Sequence, residues 1–306
     1  PDVHSSLLLA AIVATNLLSM FNSTLFHGLQ RFFWVGFMPV ANVLLRMVCC
    51  GLLAGSLGWG LHGGLIGFAA GGAICVAIGG AVLASGKRDV PHHAAKLPRF
   101  PFKLVPPVIA ATFGLASMTQ IDLVLVNRFF EPAVASQYAL AAVLGKAVLY
   151  LPMGLVTAIL PAVAASHARH IDGRRQARQA MLATLGLAGS AAVACAVLGP
   201  WFVNLLYGEK YGNAGRLLGF YGFAMVPMGV ALVSQAYVVA KGRPAFSWII
   251  SVFAIAELAM LSVWHPSLEA VIGTIAAFHT GLAVAGATLV MITASVPDTR
   301  DHCDEN

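Results

Sequence analysis

Five ionisable side chains lie inside stretches that are otherwise apolar: Arg46, Asp122, Lys146, Glu257 and His279. On insertion scales a charge at the centre of a bilayer costs about 2.5–3.5 kcal/mol, so such residues generally face a partner or a wet cavity. Asp122 stands in "ASMTQIDLVLVNRFF", about 10 Å from the outer end of its predicted helix, and Lys146 on the next helix about 18 Å from its own outer end. A lysine stem spans much of that difference. Two readings are open for the pair: an ion pair tying two helices, or part of a charged cavity for an anionic substrate or a coupling cation. Arg46 has no acidic neighbour in sequence. A guanidinium is always charged and offers a fork of donors, which suits a phosphate; pairing with a carbonyl or a distant carboxylate is the alternative. Glu257 and His279 face each other only if their helices pack suitably, and are weaker candidates for the same cavity.

No catalytic constellation accompanies these groups. The sequence contains no P-loop, no H-E-x-x-H, no nucleophile elbow and no metal-ligand run, so neither a metal nor an organic cofactor is expected. Cys49, Cys50, Cys75, Cys195 and Cys303 form no C-x-x-C, and the first four sit in apolar runs as small hydrophobes. Asn22-Ser23-Thr24 fits a glycosylation acceptor but lies within an apolar run.

The elements that carry these residues follow from composition. Of 306 residues 59% are hydrophobic and 10% charged, with a mean hydropathy of +0.83; soluble chains carry about 25% charged residues. Apolar runs long enough to cross a bilayer recur throughout. They predict an all-α polytopic membrane protein with nine spans, near 6–27, 35–58, 63–86, 104–129, 134–165, 179–207, 213–240, 245–264 and 267–294. Thirteen of the 18 Lys and Arg fall in the odd-numbered loops and the C-terminal tail. That bias places this side and the C-terminus in the cytoplasm and the visible N-terminus outside. The pI near 9.3 then reflects topology; the basic run "KRDVPHHAAKLPRFPFK" reads as a positive-inside anchor, with anionic lipid as the alternative. No aromatic-basic module suggests nucleic acid as a partner.

Gly63, Gly67 and Gly71 recur every fourth residue, the pattern that lets helices approach closely in lipid. Pro152, Pro161, Pro200 and Pro227 fall inside predicted spans and tend to kink them. The longest inter-helix stretch, 87–103, divides the chain. The expected domains are a partial bundle over 1–86, a basic cytoplasmic linker over 87–103, a six-helix bundle over 104–294 and a tail over 295–306. The chain opens on Pro1, which is read either as processing or as an internal start within a longer protein.

Four stretches carry a family resemblance: "GLQRFFWVGF" (28–37), "VLLRMVCCGLLAGSLGWGLHGGLIGFAAG" (43–71), "TQIDLVLVNRFFEPAVASQYALAAVLGKAVLYLPMGLVTAILP" (119–161) and "LLYGEKYGNAGRLLGF" (205–220). The sequence resembles the polysaccharide and oligosaccharide flippases of the multidrug/oligosaccharidyl-lipid/polysaccharide exporter superfamily. Ser136-Gln137 before Tyr138 departs from that pattern, where the family places a glycine. Such proteins have twelve or more helices in two bundles of six and a cytoplasmic N-terminus. Nine helices beginning outside fit that plan with three absent from the front.

The resemblance implies flipping of a lipid-linked oligosaccharide, on undecaprenyl diphosphate, across the bacterial inner membrane by alternating access. Membrane lipids and glycan assembly proteins are its expected partners. Arg46 and Lys146 would then attract diphosphate or acidic sugar, and Asp122 would tune that field or hold a coupling Na+ or H+. A cation-coupled drug antiporter of the same superfamily, and a membrane-embedded glycan polymerase or acyltransferase, are the rival readings.

Overall fold

The computed structural model describes residues 3–29, 31–85, 102, 105–151, 174–241 and 245–295. Nine helices among them are long and apolar enough to cross a membrane, and no strand occurs among the described residues. The all-α expectation therefore holds, with most boundaries within a few residues of those read from hydropathy. The fifth predicted span differs: its helix is described as far as Leu151, and its stretch to 165, with Pro152 and Pro161, lies outside the described residues. So does the basic segment 87–103, Phe102 apart, and the tail with Cys303. By contacts the chain divides into two compact units, Pro1–Leu97 and Pro98–Asn306.

The first unit holds α1 (Val3–Gly28), α2 (Phe32–Cys50) and α3 (Gly60–Ser85). Over Gly51–Ser56 α2 runs on as a wider π-type turn. The chain then reverses through Gly58 and Gly60 at φ +68° and +55°, where only glycine sits without steric cost. The glycine stripe of α3 does what its spacing suggests. A Cβ at Gly63 would lie 2.6 Å from the Leu53 carbonyl, at Gly67 2.7 Å from that of Cys49, and at Gly71 2.7 Å from the Arg46 Cα. Backbone therefore lies against backbone along the whole α2–α3 contact. Asn22 ties α1 to α3 by donating to the Val76 carbonyl at 3.1 Å. α3 packs against both partners, whereas α1 and α2 touch sparingly. Pro39 sits inside α2 and leaves one turn of that helix without its usual backbone donor.

The second unit holds α4 (Val105–Phe129), α5 (Pro132–Gly145, continuing to Leu151), α6 (Arg174–Tyr207), α7 (Gly212–Ala240), α8 (Ala245–Val263) and α9 (Leu268–Ser295). Pro132 opens α5, where its missing N–H would have had no partner anyway. α7 is the centre: α5, α6 and α9 pack around it, and α4 packs on α8. Small residues set these spacings. Cβ atoms at Gly215 and Gly219 would meet the backbone of Pro200 and Ala196 at 2.5 and 2.9 Å, drawing α6 onto α7. The core runs from Met118 and Tyr138 through Tyr221, Met225 and Met228 to Phe246 and Ile275, all essentially inaccessible. Outward-facing Leu, Val and Phe side chains such as Leu198, Val252 and Val284 match a lipid-facing surface.

Candidate functional site

Asp122 is fully buried in the C-terminal half of α4. Tyr138 of α5 donates its hydroxyl to Asp122 Oδ2 at 2.9 Å, and Tyr221 of α7 donates to the same oxygen at 2.7 Å. The two rings meet edge to face, 5.9 Å apart. Gly145 makes this possible, because a Cβ there would sit 2.7 Å from the Tyr221 ring. Lys146, one residue on, brings its ammonium 3.8 Å from Asp122 Oδ1. That distance gives an ionic contact without a hydrogen bond. The ammonium donates instead to Gln120 Oε1 at 3.1 Å, and Oδ1 has no hydrogen-bond partner. A carboxylate in apolar surroundings is thus held by two phenols and one cation drawn from two helices, α5 and α7. Asp122 also lines a narrow crevice with Val126, Phe130, Leu261, Val271 and His265, whose ring stacks on Phe129 at 4.1 Å.

Glu257 of α8 and His279 of α9 do pack together. Both are fully buried, with His279 Nε2 3.9 Å from Glu257 Oε2. His279 Nδ1 lies 3.0 Å from the Ala224 carbonyl of α7. A carbonyl only accepts, so Nδ1 carries a proton and donates it. The second ring nitrogen and both carboxyl oxygens make no hydrogen bond. The pair is neutral overall with one further proton, on either the carboxyl or Nε2. Without that proton a bare carboxylate is left, and with two an imidazolium is left; both are costly in a dry interior.

In the first unit Arg46 is buried, 8% exposed, and lies over the Phe68 ring at 4.2 Å. Gly72 makes room for it, since a Cβ there would stand 2.7 Å from its Nη2. Neither Nε nor Nη2 has a hydrogen-bond partner, and no carboxylate pairs with Arg46 among the described residues. Of the two readings of Arg46, pairing with a carbonyl or carboxylate is not seen at these atoms.

Sequence reasoning located the five ionisable groups but missed Tyr138, Tyr221 and Gln120. A signal existed for the tyrosines. In spans this residue is enriched at the membrane interfaces, so a phenol deep in an apolar run announces a buried acceptor. Gln120, exposed on α4, gave none.

A three-helix unit and a six-helix unit with small-residue contacts make up an all-α architecture, among the described residues, whose helices are long and apolar enough to cross a membrane. No protein-family model matches the chain, and no curated protein matches it. Solved structures do. They include the outward-facing conformation of a multidrug resistance MATE family transporter of the MOP superfamily, with TM-score 0.75 and 12% identity over 94% of this chain and 69% of that one. MATE in complex with MaL6 gives 0.75 and 13%, over 96% and 70%. MATE in the bent conformation gives 0.73 and 12%, over 96% and 68%. The chain has the fold of MATE transporters at low sequence identity.

Proposed function

We propose that this chain moves a lipid-linked oligosaccharide, carried on undecaprenyl diphosphate, from the cytoplasmic to the outer leaflet of a bacterial inner membrane by alternating access. The observation that carries the reading is Arg46: a buried guanidinium over the Phe68 ring, with two nitrogens that make no hydrogen bond and no carboxylate paired to it among the described residues, a cation whose charge an anionic ligand would balance. The MATE-like fold supports transport over membrane-enzyme chemistry. The test is flipping of a fluorescent undecaprenyl-diphosphate glycan in vesicles containing the protein. Arg46→Gln should lower the rate at least tenfold, and Arg46→Lys should restore part of it. Unchanged flipping in Arg46→Gln would overturn the assignment.

A second reading, a cation-coupled antiporter of small molecules, draws on the second unit. Asp122, whose Oδ1 makes no hydrogen bond, and the buried pair Glu257–His279 are groups that a cation or proton gradient could load. In this reading Asp122→Asn abolishes gradient-driven efflux of an organic cation, whereas Arg46→Gln leaves it intact. The opposite pattern favours the flippase.

A further inference from the structure

Lys146 has two acceptors near it, and its ammonium stands on the weaker one. A carboxylate ordinarily takes an ammonium in a short, charge-assisted hydrogen bond, stronger than one to a neutral carbonyl. Here the ammonium donates to the Gln120 carboxamide at 3.1 Å and stops 3.8 Å from Asp122 Oδ1. Tyr138 and Tyr221 both donate to Oδ2, so neither takes Oδ1, which makes no hydrogen bond. One carboxylate oxygen is doubly engaged, while a cation stands just outside hydrogen-bonding range of the other.

The place of Gln120 accounts for this. Gln120 and Asp122 are two residues apart on α4, a spacing that puts them on different faces of the helix. Gln120 is exposed, whereas Asp122 has no accessible surface. Gln120 also lies well inside the span, about 14 Å by helical rise from Phe129 at the end of α4. Its amide nitrogen makes no hydrogen bond among the described residues. A carboxamide at that depth with its N–H groups unspent calls for water or another polar group, not acyl chains. The ammonium spends one of its three N–H groups on Gln120, and on that side the others keep access to the same polar surroundings. Drawn onto Asp122 it would lose them, and full burial of an ion is costly unless its remaining donors are satisfied.

We propose that Gln120 is a positioning residue: its carbonyl holds Lys146 off Asp122 and keeps the tethered ammonium from closing on the carboxylate. Lys146 is then a built-in competitor for any cation that loads Asp122, and Gln120 sets how strongly it competes. The consequence for transport rests on the antiporter reading, whereas the hold on Lys146 rests on geometry alone.

Two measurements test the two parts. In the first, the full chain in lipid nanodiscs is acetylated at fixed pH with a water-soluble N-hydroxysuccinimide ester. Peptide mass spectrometry reads the rate at Lys146 against that at Lys210, which is exposed. Gln120→Met removes the acceptor at nearly constant shape and should slow Lys146 at least threefold, as the ammonium moves onto Asp122. Adding Asp122→Asn should return the rate to its starting value or above. A rate unchanged in Gln120→Met overturns the proposal. So does a slowing that persists in the double variant, the result expected if methionine merely covers the amine. Elution volume and melting temperature establish that the variants fold. The second measurement does not need Asp122→Asn: sodium-driven efflux of ethidium from vesicles containing the full chain. The half-saturating sodium concentration should rise at least threefold in Gln120→Met and fall back when Lys146→Met is added. A rise that Lys146→Met does not relieve overturns the competition. The expected acetylation pattern without any sodium-driven efflux overturns the sodium-coupled antiporter reading and leaves Gln120 as the residue that positions Lys146.

Discussion

Asp122 shows how a carboxylate persists among apolar side chains: two phenols converge on one oxygen while an ammonium stands off the other. Hydrogen bonds inside membranes contribute about 0.6–2 kcal/mol each. Tyr138→Phe and Tyr221→Phe should each lower unfolding stability in detergent by about that amount. Because they share an acceptor, the double variant should lose measurably more or less than the sum. Lys146→Met should cost more with Asp122 intact than in an Asp122→Asn background, since only the former leaves a buried charge with one fewer compensating group. Equal costs in a double-mutant cycle would show that the ion contact contributes nothing. Asp122 and Lys146 were legible from the sequence because a charge in an apolar run needs no structure to be noticed. The phenols carry no formal charge to mark them, and the partner of each depends on the register of helices up to 99 residues away.

Helix existence and the glycine face of α3 were readable in advance, since both are local. A missing Cβ every fourth residue marks a contact face by itself, but Leu53, Cys49 and Arg46 as the atoms it meets were not readable. Nor was the Glu257–His279 contact. Glu257 lies about 9 Å from the loop end of α8 and His279 about 16 Å from the start of α9, by helical rise, so equal depth would not have paired them. Only the packed α8–α9 geometry brings the side chains within 3.9 Å. Gly67→Leu should force α3 away from the Cys49 carbonyl and cost about 1–3 kcal/mol, read as a lower melting temperature. Gly145→Ala acts through another element: its Cβ would press on Tyr221. Its destabilisation should largely vanish in a Tyr221→Phe background only if the lost hydroxyl contact is the main cost.

At the scale of the molecule, the fold agrees with that of MATE transporters although identity stays near 12%. Hydropathy period and helix length survive sequence divergence that erases motifs, which is why the architecture was legible while the transported species is not. The basic bias predicts orientation, a property that lies outside the fold itself. A fluorescent-protein fusion at the C-terminus should fluoresce, and an alkaline phosphatase fusion there should be inactive; the reverse result would invert the topology.

Tyr221 and Ala224 are three residues apart on α7, so they lie on neighbouring positions of one helix face. The first donates to Asp122 and the second accepts from His279. A slip of α7 by a single residue, about 1.5 Å, would break both contacts in the same stroke. The helix therefore holds one contact to each of two buried polar sites that do not touch each other.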